Sequence, residues 1–249
     1  MRERLTFAQK RCLALTGKLM QNTAMIGPGA RIGIAVSGGV DSWVLLNVLH
    51  LRRRIVPFKF EIMALHVNPG FNPENHAPLL EWLEREGVPG HVETTEHGAL
   101  AHSEVNRKRS ACFFCAMLRR KRLFDLCAKY KLSHLAFGHN ADDLASTFLM
   151  NLVQNGRVDG LKIKDDFFDG ALSVIRPMIL VDKSLIIRAA KAWNLPVWKN
   201  DCPSAGNTRR SDMEEQLKAL YSIHPKAKTN ILSGLCRWEF DLTVKGDKV

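Results

Sequence analysis

The chain has 249 residues, 46% of them hydrophobic, enough for a sizeable core in one large domain or one domain plus an appendage. No run of about 18 apolar residues is present, so no membrane-spanning helix is expected, and Met1-Arg2-Glu3-Arg4 has no hydrophobic stretch behind it, so no secretory leader is read. The net charge of +11 suits a polyanionic partner such as nucleic acid, with a merely solvated basic surface as the alternative, and in the reducing cytoplasm expected without a leader the six cysteines read as free thiols or metal ligands rather than disulfides.

In chain order, residues 5 to 25 carry Leu5, Leu13, Leu15, Leu19 and Met20 among Lys and Arg, the pattern of an amphipathic helix ahead of the core, with Cys12 as a packed thiol. Gly27-Pro28-Gly29 ends it. Ile32-Gly33-Ile34-Ala35-Val36 then reads as a strand, Ser37-Gly38-Gly39 as a tight turn, and Val40-Asp41-Ser42 as the opening of a helix to about residue 52. Gly38 and Gly39 allow a sharp turn without a Cβ clash. The turn aims free N–H groups and a positive helix end at one spot, which is an anion site. Asp41 and Ser42 can cap the helix or reach a magnesium ion. The string is not a Walker A loop, since no G-x-x-x-x-G-K-[ST] is present.

Phe58 to Val67 reads as a second strand, residues around Leu79 to Leu83 as a helix closed by Gly87, and His91 to Thr94 as a short third strand. The order strand–helix–strand–helix–strand predicts a Rossmann-like α/β fold with a parallel sheet and flanking helices. Ligands then sit beyond the carboxyl ends of the strands, where Ser37 and His66 are both expected. His66 either caps its strand or offers backbone contact to an adenine.

Residues 97 to 111 read as a loop rich in His and basic residues. Cys112-Phe113-Phe114-Cys115 follows, running into a helix with Leu118, Leu123, Leu126 and Cys127 on one face. The helix N-terminus and nearby Arg and Lys are expected to stabilise both thiolates. Arg119, four residues after Cys115, shares its face, and Cys127 is expected in the core. Leu132 to Gly138 reads as a fourth strand. Gly138-His139-Asn140-Ala141-Asp142-Asp143 opens the next helix on the same sheet edge as the Ser37 turn. Asp142 and Asp143 suit the helix dipole, but beside phosphates such carboxylates usually hold a divalent metal. Gly156 to Gly170 reads as a loop, Leu172 to Pro177 as a fifth strand, and Asp182 as the start of a helix ending near Trp193. Cys202 lies in a polar loop before Pro203, and the tail from about Ser211 reads as helical, with Cys236 structural.

Cys112-x-x-Cys115 has metal-ligand spacing, and no second C-x-x-C is present for a closed zinc site. Cys202 is the best third ligand. Three thiolates suit a [4Fe–4S] cluster with one iron open to an exogenous ligand such as sulfide. A three-cysteine zinc site completed by histidine, a redox pair and a structural pair stay open on spacing alone.

Taken together, S-G-G-x-D-S, C-x-x-C followed by L-R-R, G-H-x-x-D-D, I-R-P and a lone Cys, in that order, resemble the TtcA/TtuA group of PP-loop ATP pyrophosphatases, which includes the tRNA 2-thiocytidine synthetases. The resemblance runs from the N-terminal helix to about residue 235. It implies a PP-loop (adenine nucleotide alpha hydrolase-like) fold, a [4Fe–4S] cluster on Cys112, Cys115 and Cys202, and ATP with Mg²⁺ at Ser37, Gly38, Gly39, Val40, Asp41 and Ser42. His66 and Gly138 join the nucleotide site, and Asp41, Asp142, Asp143 and Arg119 the catalytic residues. The family's usual loop has Lys where Val40 stands. The expected organisation is a helical segment at 1–28, a PP-loop domain with the CxxC insertion at 29–200, and a loop and helical tail at 201–249.

The expected chemistry is adenylation of a pyrimidine carbonyl oxygen, followed by attack of sulfur carried on the open iron. The partners implied are tRNA, ATP and a sulfur donor, either sulfide or a cysteine-desulfurase-derived source, with a homodimer compatible. RNA phosphates would dock on Arg107-Lys108-Arg109 and on Arg119 to Arg122. Three rival readings stand beside this one. They are a cluster-free ligase of the lysidine-synthetase type, a cluster enzyme acting on 2-thiouridine or a small molecule, and a metal-containing RNA-binding module without turnover.

Overall fold

The computed structural model describes residues 4–107, 109–199, 201–204 and 209–240. Lys108 of the expected basic docking stretch, and residues 205–208 after Cys202, therefore lie outside the described residues. The chain starts with α1 (Phe7–Asn22), whose first turn is closed by a capping box between Thr6 and Gln9. Six strands form one sheet in the order β3-β2-β1-β4-β6-β5. These are β1 (Arg31–Ala35), β2 (Glu61–Asn68), β3 (Gly90–Thr94), β4 (His134–Ala136), β5 (Lys164–Phe167) and β6 (Leu172–Ile175). Helices α2 (Val40–Arg52), α3 (Ala77–Glu86), α5 (Ala111–Lys129), α6 (Ala141–Asn155) and α7 (Lys183–Ala192) connect and flank them. A short α4 (His97–Ala101) precedes α5, and α8 (Arg209–Ile223) and α9 (Ala227–Phe240) follow.

Strand residues split by parity between two cores, as the two-residue period of a strand requires. Ile32, Ile34, Ile62, Ala64, Ala136 and Ile175 face the larger core with Trp43, Leu45 and Leu49 of α2 and Ile186 and Ala189 of α7. Leu65, Val67, Leu135, Leu172 and Val174 face the other side, covered by Leu123, Leu126 and Cys127 of α5. A sheet buried on both faces explains why these strands read as nearly continuous apolar runs. Cys12, Cys127 and Cys236 are buried as expected, and burial raises their thiols to about 11, 12 and 11.

Two expectations are corrected. The loop at 97–111 contains α4, a single turn too short to show a helical period. The loop at 156–170 contains β5, which pairs antiparallel with β6, from Lys164↔Ile175 to Phe167↔Leu172. The sheet is therefore parallel in five strands with an antiparallel edge. Lys164, Asp165 and Asp166 make that edge strand charged, a common guard against edge-to-edge pairing, and the charges hid it.

The chain runs outward from β1 through β2 to β3, then returns to place β4 on the other side of β1. The crossovers diverge between β1 and β4, which opens a crevice at their carboxyl ends. Both glycine-containing turns, after β1 and after β4, fall on that crevice.

Candidate functional site

The turn after β1 is braced from within. Ser42 Oγ donates to Gly39 O (2.8 Å), and the Ser37 amide donates to Ser42 Oγ (3.1 Å). Gly38 has φ +89°, and a Cβ there would lie 2.2 Å from the Trp198 indole. Only glycine fits, for backbone and space alike. The amide of Trp198 donates to Gly38 O (3.0 Å), and its ring meets Trp43 edge-on at 5.7 Å. Gly39 differs from the expectation of a second strained glycine. It is the N-cap of α2 with φ −72°, and a Cβ there would meet only Ser37 Oγ, at 3.5 Å. Nothing in the protein demands glycine at 39, so the space above it is free for a ligand.

The turn after β4 meets the first one directly. A Cβ on Gly138 would lie 2.9 Å from the Asp41 carbonyl carbon, so bare backbone lets the two turns touch. Asn140 caps α6, accepting from the amides of Asp142 (2.9 Å) and Asp143 (3.2 Å). Its Nδ2 donates across the crevice to Asp41 Oδ1 (3.0 Å). The other Asp41 oxygen accepts from Lys183 Nζ. Lys183 stands in the first turn of α7, where the helix dipole disfavours a cation. That misplaced charge was the sequence signal for a residue the motif reading missed.

The two aspartates of α6 part company. Asp143 lines the crevice and accepts from the Asn140 amide (2.9 Å). Asp142 turns toward α7 and α9, accepting from the Lys183 amide (3.0 Å) and pairing with Lys228 (2.7 Å). Lys228 also holds Asp182 (2.6 Å), and the two carboxylates raise its pKa against the opposing effect of burial.

The crevice is a cavity of about 460 Å³ lined by Ser37, Asp41, Ser42, Gly138 and Asp143 on one side and by Ala116, Arg119 and Arg120 of α5 on the other. That size suits a nucleotide. Leu65 and Val67 of β2 form its wall. His66, expected at the strand end, sits inside β2 with its ring on the opposite face, 5.7 Å from Trp198. Its Nδ1 lies 2.7 Å from Val36 O, which makes Nδ1 the protonated nitrogen, and burial lowers the pKa to about 4. The ring is a neutral strut under the turn.

The three expected cysteines come together. Cys112, Cys115 and Cys202 line a second cavity of about 100 Å³ with Pro69, Phe71, His102 and Arg119. Ser110 caps α5, fixing Cys112 and Cys115 on its first turns. Among the described residues no three His, Cys, Asp or Glu side chains converge to hold a metal ion; the thiols line a cavity instead of ringing a point. His102 has both ring nitrogens engaged, with Gly98 O and Ser204 Oγ, each at 2.9 Å. The expectation of a lowered thiol pKa fails at Cys115, where burial outweighs Arg119 and moves the group upward.

Arg119 lines both cavities. Its Nε is buried and has no hydrogen-bond partner. The rest of the basic run is divided. Arg122 forms a two-pronged pair with Glu93 (2.6 and 2.8 Å) that ties α5 to β3, so it is not available for phosphate as expected. Arg120 and Lys121 are exposed.

The PP-loop domain profile matches residues 14–210. The tRNA-cytidine(32) 2-sulfurtransferase of Syntrophotalea carbinolica is 35% identical over 84% of this chain and 80% of its own length. The enzyme of the same name from Geotalea uraniireducens is 33% identical over 92% of this chain and 93% of its own length. Among solved structures, the U34-tRNA thiolase NcsA of Methanococcus maripaludis, determined with its [4Fe-4S] cluster, matches 94% of this chain and 83% of its own with a TM-score of 0.75 at 22% identity. An NH3-dependent NAD synthetase from Campylobacter jejuni shares the fold at a TM-score of 0.50. With its paired turns at the β1/β4 switch point and its similarity over most of the chain, the chain belongs to the PP-loop family, within the group of the tRNA-cytidine(32) 2-sulfurtransferases.

Proposed function

We propose that this protein is an ATP-dependent tRNA sulfurtransferase that adenylates the C2 carbonyl oxygen of a cytidine and replaces that oxygen with sulfur. The observation that carries the reading is the shared wall. One arginine, Arg119, lines both the nucleotide-sized crevice and the three-thiol cavity, so activation and sulfur delivery lie side by side.

In this reading the Ser37–Ser42 turn and the α2 N-terminus hold the ATP phosphates, with Gly39 leaving the space they need. Val40 contributes backbone only. Leu65 and Val67 border the adenine, and the intervening His66 backbone is the expected contact. Asp41 and Asp143 would hold Mg²⁺, which offsets charge on the departing pyrophosphate. Asp142 serves by anchoring Lys183 and Lys228. The base oxygen attacks the α-phosphorus, pyrophosphate leaves, and the carbonyl becomes an adenylate ester. Sulfur then bonds to C2 and AMP departs with the original oxygen. Arg119, its Nε unpaired and buried, faces the charge that collects on that leaving AMP.

The donor set fits a [4Fe–4S] cluster. Three thiols line a cavity, and His102 there is engaged elsewhere, so among the described residues no fourth protein ligand stands ready. A cluster held by Cys112, Cys115 and Cys202 would supply an open iron for exogenous sulfur. The sulfur donor is sulfide or a desulfurase-derived source. A cytoplasmic location fits a tRNA substrate, and no described helix is long and apolar enough to cross a membrane.

The test is anaerobic purification followed by incubation with ATP, sulfide and tRNA lacking the modification, with nucleosides read by mass spectrometry. 2-Thiocytidine should appear with the wild type. Cys112→Ala, Cys115→Ala and Cys202→Ala should each lose the brown chromophore and the product, while Cys12→Ala keeps both. Pyrophosphate release without a thiolated base, from a colourless protein, would replace this reading by that of a ligase.

A further inference from the structure

Helix α5 carries the cysteines at its start, but its outer face has a separate character. Phe113, Met117, Arg120 and Phe124 recur at four-, three- and four-residue steps, which places them on one line along about 16 Å of helix. Phe113 is 56% and Met117 37% exposed. Arg109 lies over the Phe113 ring at 5.3 Å, and its Nη1 reaches Met117 Sδ (2.7 Å). At the far end Phe124 meets Phe167 at 5.2 Å and Phe168 at 5.7 Å. Phe168 is 64% exposed and adopts φ +56°, a left-handed conformation that a bulky side chain rarely takes. The β5–β6 turn thus extends the aromatic line beyond Phe124 and leaves most of the Phe168 ring in water.

We propose that this line, from Phe113 to Phe168, is a stacking track for unpaired tRNA nucleotides flanking the target base. It rests on the tRNA reading above and adds where the RNA strand runs. The adjacent stripe of α5, Ala116, Arg119, Arg120 and Leu123, lines the crevice, so the track borders the mouth through which a splayed base enters. Exposed cations, Arg120 and Lys121, sit between the aromatics, the alternation that single-stranded nucleic acid uses for backbone and bases together. A protein partner fits less well, since protein interface cores are depleted of charge, lysine above all. The acidic groups nearby are displaced or paired: Asp125 lies about 100° around the helix from Phe124, Asp165 pairs with Arg176 and Asp166 with Ser173 and Lys164, which leaves Asp169 on the turn.

The test measures binding of a tRNA transcript with cytidine at position 32, of its isolated anticodon stem-loop, and of a fully paired RNA duplex, each at several salt concentrations. Phe168→Ala and Phe113→Ala should each weaken tRNA and stem-loop binding about 5- to 100-fold. The duplex affinity, the ATP affinity and the slope of log affinity against log salt should not move, because a neutral ring releases no counterions. Phe168→Tyr should restore binding. Unchanged tRNA affinity in both alanine variants overturns the track. So does a loss that appears as a smaller salt slope. A changed oligomeric state with RNA affinity intact would make the face a contact between protein chains. A wild-type protein that binds no tRNA at all would instead sink the underlying reading.

Discussion

Adjacent glycines in the phosphate turn give a paired test, because the structure assigns them opposite reasons for being glycine. At Gly38 the reason is internal. With φ +89° and a Cβ position 2.2 Å from the Trp198 indole, Gly38→Ala takes on left-handed strain of about 1–3 kcal/mol and displaces a ring packed on Trp43. For a chain of this size each kcal/mol is worth about 2–4 °C in Tm, so without nucleotide a fall of at least about 4 °C is expected. At Gly39 the backbone is extended, φ −72° and ψ 158°, which valine adopts freely. Gly39→Val exchanges one N-cap residue for a poorer one, a cost of about 1 kcal/mol at most. Its effect should fall on the ligand. ATP at about 100 times Kd stabilises a binding-competent fold by about 2.7 kcal/mol, or about 5–10 °C. If valine raises Kd a hundredfold, the same ATP concentration yields about 0.4 kcal/mol, about 1 °C. Thermal unfolding with and without ATP and Mg²⁺ separates the two variants. A Gly39→Val protein with a normal Tm and an undiminished ATP shift would refute the claim that phosphates lie over this turn. A Gly38→Ala protein as stable as wild type would refute the steric reasoning.

The two α6 aspartates should separate in the same way: Asp143→Asn should cut pyrophosphate release at least about 100-fold, whereas Asp142→Asn, which frees Lys228 and the Lys183 amide, should chiefly lower stability by about 1–2 kcal/mol. The opposite assignment of the two effects, read by a pyrophosphate assay and thermal unfolding, would move the metal to Asp142. Glu93 governs part of the acid limb of stability. Its hydrogen bonds from Arg122, then His91, hold its pKa at about 2 against an ordinary 4.5. A depressed carboxylate contributes stability above the unfolded value and loses it as pH falls, here between about 4.5 and 2. The Arg122 side chain is 38% exposed, so solvent screening limits the pair to about 1–2 kcal/mol. Glu93→Gln should therefore flatten the fall of Tm with pH across that window, and parallel wild-type and variant curves would place the acid sensitivity elsewhere.

What was legible in the sequence was local. A strand, a glycine turn and a helix opening with Asp41 occupy consecutive residues, and their geometry follows from backbone rules alone. The same holds for the Asn140 cap and for the C-x-x-C at the α5 start. What was hidden fell into two kinds. Elements too short or too charged to show a period, α4 and β5, carry no signal of their own and exist because tertiary pairing completes them. Side chains at the sheet also depend on parity: the second strand reads to Val67, one residue short of its end at Asn68, and the alternation along β2 puts Leu65 and Val67 on the crevice and makes His66 a buried strut.

The remaining gap has one physical origin. The crevice forms where the crossovers diverge and is lined by residues 35–143, but the side chains that brace its turns from behind come late in the chain. Lys183 reaches Asp41 across 142 positions, Trp198 closes over Gly38 across 160, and Lys228 joins two aspartates from a helix beyond the matched domain profile. None of these residues lies within a local motif, and each is chosen by what the earlier turns leave exposed: a carboxylate without a cation, or a glycine without cover. A motif therefore predicts its own missing complement. Asp41 is partly buried with one oxygen taken by Asn140, and a lysine placed against its own helix dipole at the start of α7 supplies a cation to the other oxygen. Lys183 thus ties Asp41 of the first turn to the start of α7, a link that no local motif carries.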